Sequence, residues 1–433
     1  MTEPASAPDA ASPTAPSGVS RRRLLGAAGA GALAVGAAGV GGYAVGHAAE
    51  DPGEPGQSSY AFGGRHQAGI VTPAQDRLHF AAFDVTSESR DDLILLLRAW
   101  TAAARAMTSG RPVGEGVPTS YDAPPDDTGE ALDLDASGLT LTFGFGPTLF
   151  ERDGKPRFGL GGKQPAALRE LPHFPADKLD PARSNGDLCV QACAHDPQVA
   201  VHAIRNLSRI AFGTAAMRWA QLGFGRTSST STAQATPRNL FGFKDGTANL
   251  KSQDREGVEE FVWVGEGDDP RADWLAGGTY LVARRINMQI ETWDRSSLRE
   301  QEALVGRDRE EGAPLSGGTE FTEPDFDLQG REGPLVGLNS HVRLAHPSQN
   351  KGVKMLRRGY NFTDGSNALG RLDAGLFFVA FVRDPDVHYI PMQTRLSAQD
   401  GLMEYLQHTG SGLWAVPPGV RRRTGFVGDT LFA

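Results

Sequence analysis

The sequence predicts an α+β protein made of two ferredoxin-like domains, each an antiparallel sheet with helices packed on it. Three observations carry this expectation. The first half of the chain orders its apolar runs and amphipathic stretches as β-α-β-β-α-β. The second half repeats strand–helix units. Of the 433 residues, 39% are hydrophobic and 22% charged, an ordinary soluble composition with chain enough for two cores.

Each element has its own signal. LHFAAFDV (78–85) is apolar and rich in strand formers. RDDLILLLRAWTAAARAM (90–107) has helical apolar spacing. Ser87 or Ser89 can cap it, and Asp91 and Asp92 suit its N-terminal dipole. GLTLTFGFG (138–146) and GDLCVQACAH (186–195) read as strands. Asp196-Pro197 then opens a helix through VAVHAIRNLSRIAF, with aspartate as cap and proline in the first turn. In the second half, FVWV (261–264) reads as a short strand and GTYLVARRINMQIETWD (278–294) as a long one. SSLREQEALVG (296–306) reads as a helix capped by Ser296 or Ser297. Residues 307–336 are polar and rich in glycine, proline and acid, and read as a long loop. GLFFVAFVRD (375–384) is a strand, and LSAQDGLMEYLQHTG (396–410) a helix ended by Gly410.

The N-terminus has a different character. Residues 1–19 are rich in Ala, Pro and Ser. Arg21, Arg22 and Arg23 follow Ser20, then a weakly apolar Ala/Gly/Leu/Val run, then Ala48 and Ala49. That order matches an export signal, and the twin arginine resembles a twin-arginine translocation signal. The run is too glycine-rich for a strong anchor, and no later stretch is apolar enough to span a bilayer. The expected divisions are 1–49 as signal, 50–60 as polar linker, 61–240 as first domain and 241–433 as second. The mature chain is expected outside the cytoplasm, without a stable membrane span, after handling by the twin-arginine machinery. That route exports folded proteins, which raises the expectation of a cofactor.

A net charge of −9 argues against a nucleic-acid partner. Cys189 and Cys193 are spaced as neither a zinc knuckle nor a redox pair. On a strand they share one face, too far apart for a disulfide, and read as small core residues. Among ten histidines no HExxH occurs, and the chain has no GxSxG, Walker A or Rossmann fingerprint. Hydrolase, nucleotide and zinc chemistry therefore lack support. His79, His195 and His202 read as structural, while His66, His173, His388 and His408 are ambiguous.

Two stretches remain. FGFKDGTAN (241–249) sets Asp245 between two glycines, either a plain turn or a carboxylate facing a ligand. NSHVRLAHPSQNKGVKMLRRGYNF (339–362) carries His341, His346 and the adjacent Arg357 and Arg358. A haem peroxidase needs an imidazole for the iron, an acid/base group for the peroxide proton and a fixed cation for the developing charge.

The chain resembles the dye-decolourising peroxidases, in particular their exported twin-arginine bacterial branch. The signature G-x-x-D-G is here Gly242 to Gly246, within GFKDGTANL. FGGRHQAGIVTP (62–73), residues 278–307, HVRLAHP (341–347), LRRGYNF (356–362) and HTGSGLWAVPPG (408–419) are similar too. The resemblance spans nearly the whole mature chain. It implies one haem b per chain, bound between the sheet and helices of the second domain. It implies His341 as axial iron ligand, Asp245 as distal acid/base and Arg357, with Arg358 as alternative, as distal cation. Gly246, Thr247 and Ala248 would line the haem beside Asp245, and His346, Pro347 and Ser348 beside His341. Asp400 resembles the acidic partner of the axial histidine. The implied reaction uses hydrogen peroxide to form an oxoferryl oxidant, which takes electrons from bulky dyes, phenols or other donors. An aspartate base, with an ordinary pKa near 3.9, places the best activity at acidic pH. An exported haem- or iron-handling protein of deferrochelatase type is the alternative implication, as is a haem binder without turnover. Bulky donors would need surface aromatics. Trp100, Trp219, Trp263, Trp274, Trp293, Trp414, Tyr360 and Tyr389 are candidates, and Tyr389, in the polar stretch DPDVHYIP, is the expected exposed contact. The reducing substrate and the oligomeric state are left open.

Overall fold

Strands buried on both faces set the architecture. In this computed structural model, residues 53, 54, 56–114, 121–331 and 333–433 are described. The expected export signal lies outside them. The first half contains β1 (Arg77–Val85), α1 (Arg90–Met107), β2 (Thr140–Phe145), β3 (Leu188–Ala194), α2 (Pro197–Ala211) and β4 (Ala215–Arg226). The second contains β5 (Thr279–Met288), α3 (Leu298–Val305), α4 (His341–Ala345), β6 (Tyr360–Ser366), β7 (Leu372–Val382), α5 (Ile390–Gln399) and β8 (Leu406–Val416).

Strand order is β4-β1-β3-β2 in the first half and β8-β5-β7-β6 in the second, all antiparallel. Each is the 4-1-3-2 order of a ferredoxin-like sheet. The halves join edge to edge, β2 to β8 and β4 to β6, so the pairings close into a ring. Closure leaves no free edge among these eight strands. Period-two alternation then serves two cores. Leu78, Phe80 and Ala82 point inside the ring with Leu281, Phe377, Trp414 and both cysteines. Ala81 and Phe83 point outward beneath α1 and α2, onto Leu93, Leu97 and Trp100. Cys189 and Cys193 are buried and free, as their spacing predicted.

Caps follow the sequence closely. Ser89 takes the Asp92 N–H at the start of α1, Asp196 takes the Gln198 N–H at α2, and Ser297 takes the Glu300 N–H at α3. Three expected elements are corrected. FVWV is not a strand: a helix, Arg255–Phe261, capped by Asp254, ends on its first residue. A short apolar run cannot distinguish the two states, and here all four residues are buried. The long strand ends at Met288, because Ile290–Trp293 turns helical and stacks Trp293 on Phe241 at 4.2 Å. The helix placed at 396–410 lies earlier, at Ile390–Gln399, with Pro391 in its first turn, and 406–416 is strand β8. The helical spacing of Leu396, Met403 and Leu406 runs across three elements, the end of α5, the turn Gly401–Glu404 and the start of β8.

Tyr389 is also corrected. It is 2% exposed, packed between Phe174 and Phe378, not a surface contact. Two successive proline-led helix starts, at Pro385 and Pro391, fold this stretch under the sheet. Trp100, Trp263, Trp274, Trp293 and Trp414 are buried as well.

Candidate active site

The outer face of the second sheet carries the site. Ile286 and Met288 on β5, Leu376 and Phe378 on β7, and Leu406 and His408 on β8 form one wall of a cavity. A bulge between His408 and Gly410 keeps β8 in register with this wall. The opposite wall comes from α4, α5 and the segment after them, and one end from the Asp245 loop. The cavity has a volume of about 270 Å³.

His341 opens α4. Its Nδ1 lies 2.6 Å from Asp400 Oδ2, whose carboxylate side chain is only 2% exposed. That contact leaves Nε2 available to the cavity. Burial alone would lower the His341 pKa, but the charge and hydrogen bond of Asp400 outweigh it and raise the pKa above the ordinary value. Asp400 is fixed in turn, because its Oδ1 accepts the Leu402 N–H at 2.9 Å. His346 differs: Nε2 faces Glu323 at 2.9 Å and Nδ1 faces Ser348 Oγ at 2.9 Å, so both ring nitrogens are engaged.

Asp245 and Arg357 meet in the same cavity. Arg357 Nη1 donates to Asp245 Oδ1 at 3.0 Å, and Asn239 Nδ2 donates to the other oxygen at 3.2 Å. Both charges reach His341, Asp245 raising and Arg357 lowering its pKa. Gly246 has φ +83°, and a Cβ there would stand 2.9 Å from the Ser228 backbone. Only glycine lets the loop turn and lie this close. Arg358 points the other way. It is fully buried and donates to the Thr72 carbonyl and the Gln75 side chain, outside the cavity.

Of the sequence-predicted lining residues, Gly246, Thr247, Ala248, His346 and Pro347 face the cavity. Ser348 does not; it is a partner of His346. Tyr389 lines the cavity from within.

Comparison with known proteins decides the family. The model of the Dyp-type peroxidase N-terminal domain matches residues 67–225, and that of the C-terminal domain matches residues 236–421. The chain belongs to the Dyp-type peroxidases. Ferric DtpA from Streptomyces lividans superposes with a TM-score of 0.78 at 40% identity, covering 87% of this chain and 98% of that one. A DyP-type peroxidase from Cellulomonas bogoriensis gives 0.76 at 39% identity, over 88% and 99% of the two chains. Deferrochelatase of Escherichia coli K12 is 36% identical over 433 residues, 95% of this chain and 96% of that one.

This Dyp-type peroxidase uses residues that sequence reasoning missed. Asn239 holds the second Asp245 oxygen from three residues before the signature. Arg307 and Lys354 bring further positive charge to the lining. Glu320 ties the long loop to Lys244 and, at 3.2 Å, to Thr247. Arg307, at the end of the family-like 278–307 stretch, and Lys354, within the 339–362 stretch, left a trace in the sequence.

His408 and His79 are uncharged in the fold. Burial pushes His408 down to about 3, helped by Arg284, and pushes His79 to about 4. In the unfolded chain both protonate near the ordinary 6.5. Below pH 6.5 the unfolded state therefore binds more protons, and stability falls as pH drops from 6.5 toward 4. Thermal unfolding of the haem-free protein across this range should show that decline, and His408→Asn should flatten it. An unaltered slope in the variant would refute the assignment.

Proposed function

We propose that this peroxidase binds one haem b per chain between the second sheet and α4 and α5, and uses hydrogen peroxide to oxidise bulky one-electron donors. One observation carries the reading. A single apolar cavity holds a carboxylate-backed imidazole together with a second carboxylate paired to a guanidinium. The lining fits haem: an imidazole with Nδ1 held and Nε2 left to the cavity, largely apolar walls and a loop held close by Gly246. Bound there, haem would supply the redox-active iron that peroxide reduction requires.

The chain's residues do the rest. His341 offers Nε2 to the iron while Asp400 holds Nδ1–H and makes the ring more electron-rich. Asp245 takes the proton from the inner peroxide oxygen and delivers it to the outer one, which leaves as water. Asn239 and Arg357 fix the carboxylate for that transfer. Arg357 counters the charge on the departing oxygen. Thr247, Ala248, His346 and Pro347 complete the walls, and the apolar lining keeps bulk water from competing. The division at 240/241 assigns this whole site except its structural supports to the second domain. The Arg21–Arg23 cluster and Ala48-Ala49 support twin-arginine export. Among the described residues no helix is long and apolar enough to cross a membrane.

The deferrochelatase relative favours a second reading, removal of iron from haem in the same cavity. Haem-loaded protein given an anthraquinone dye separates the two. Peroxide-dependent loss of dye colour without growth of iron-free porphyrin fluorescence is the expected result. Porphyrin fluorescence with intact dye would replace the peroxidase reading, and a purified protein unable to take up haem would remove both.

A further inference from the structure

We infer that Asn249 is the positioning residue that sets the place of Arg357, an inference that rests on the reading of Arg357 as the distal cation. Asn249 ends the loop that carries Asp245, its N–H bonded to the Gly246 carbonyl at 3.0 Å. It is 6% exposed. Its Oδ1 accepts the Arg357 N–H at 2.7 Å, and its Nδ2 donates to the Arg357 carbonyl at 2.9 Å. The same Nδ2 donates to the Ser229 carbonyl at 2.9 Å, to which Lys251 Nζ also donates at 2.8 Å.

The backbone explains why a carboxamide stands there. Leu356–Arg357 is a two-residue strand paired with Phe381 and Ala380 of β7. On that side the Arg358 N–H reaches the Val379 carbonyl at 2.8 Å. Peptide groups of successive strand residues point to opposite edges, so the N–H and C=O of Arg357 point away from β7. Asn249 meets both and does the work of a neighbouring strand. The carboxamides of asparagine and glutamine carry a donor and an acceptor side by side on one planar group. Aspartate accepts alone, alanine does neither, and a buried backbone group left unpaired is destabilising. One loop thus grips Arg357 at both ends, the main chain through Asn249 and the guanidinium through Asp245. Without the first grip the strand end loses its anchor, and the guanidinium no longer has a fixed place over the cavity.

The test uses the full chain loaded with ferric haem and titrated with fluoride, an anionic iron ligand that a distal cation stabilises by hydrogen bonding. Fluoride affinity should fall about tenfold in Arg357→Ala, the size of one charge-assisted hydrogen bond. It should fall several-fold in Asn249→Ala and no further in the double variant than in Arg357→Ala, because both act through one group. Asn249→Gln, which keeps donor and acceptor, should recover part of the loss. Should Asn249→Ala fail to fold, Asn249→Ser is the milder truncation, with the same expectations. Unchanged affinity in the Asn249 variants, or an equal loss added to Arg357→Ala, overturns the inference. Unchanged affinity in Arg357→Ala overturns the reading of Arg357, and the inference falls with it.

Discussion

His341→Ala is expected to abolish stable haem binding. The imidazole is the group in the cavity with one nitrogen anchored and the other available: Nδ1 sits 2.6 Å from a buried carboxylate, which fixes tautomer and orientation together. His346 cannot simply substitute, because Glu323 and Ser348 already occupy both of its nitrogens. Titrating haem-free protein with haem and following the Soret band measures the effect. Removing an outer partner of a metal-bound histidine typically weakens binding or activity roughly 10–100-fold. Asp400→Asn should fall in that range, and loss of His341 itself should exceed it. A histidine-ligated spectrum surviving in His341→Ala would move the axial role to His346.

The second large effect is expected at the distal pair. Asp245→Asn keeps the shape of the carboxylate and removes its capacity to take a proton. The rate of reaction with peroxide should fall about 10²–10⁴-fold, the usual worth of positioned acid–base catalysis. Arg357→Ala should slow it by about 10²–10³-fold through lost charge stabilisation. The two groups touch at 3.0 Å, so their effects should not add. Haem uptake should survive in both, which separates this loss from that of His341→Ala. Arg358→Met is the informative contrast. Its side chain is fully buried on backbone carbonyls and Gln75, so its loss should lower the unfolding temperature while the folded protein still reacts with peroxide. Stopped-flow mixing of ferric protein with peroxide decides it, and a slow Arg358→Met beside a fast Arg357→Ala would exchange their roles.

Local rules carried much of the molecule. Serine and aspartate caps marked α1, α2 and α3 because their side chains satisfy orphan N–H groups within a few residues, which needs no tertiary context. The Asp-Gly ambiguity at Asp245 was of another kind. The loop is indeed a tight turn, with Gly246 at φ +83°, and its carboxylate also faces the cavity; the two readings were compatible.

Elsewhere the chain misled for physical reasons. Leu396, Met403 and Leu406 keep helical spacing although they lie in three successive elements, α5, a short turn and the start of β8. Tyr389 sits among polar neighbours in sequence, yet two helix starts turn it inward against Phe174 and Phe378. Ser348 adjoins two lining residues but serves His346 instead.

The sequence by itself set the class of fold, and its resemblance to the dye-decolourising peroxidases implied the haem cofactor and the proposed site residues: a glycine-flanked Asp245, His341, the arginine pair and Asp400. Those features rest on patterns and family-like motifs read along the chain. Only the tertiary structure shows that Arg357 and not Arg358 faces the cavity, because successive residues of an extended segment point to opposite sides and the packing of the sheet selects which side is the cavity. Only it brought Asn239 and Asn249 to the pair, since a carboxamide that braces a loop or a strand edge looks in sequence like any other polar residue.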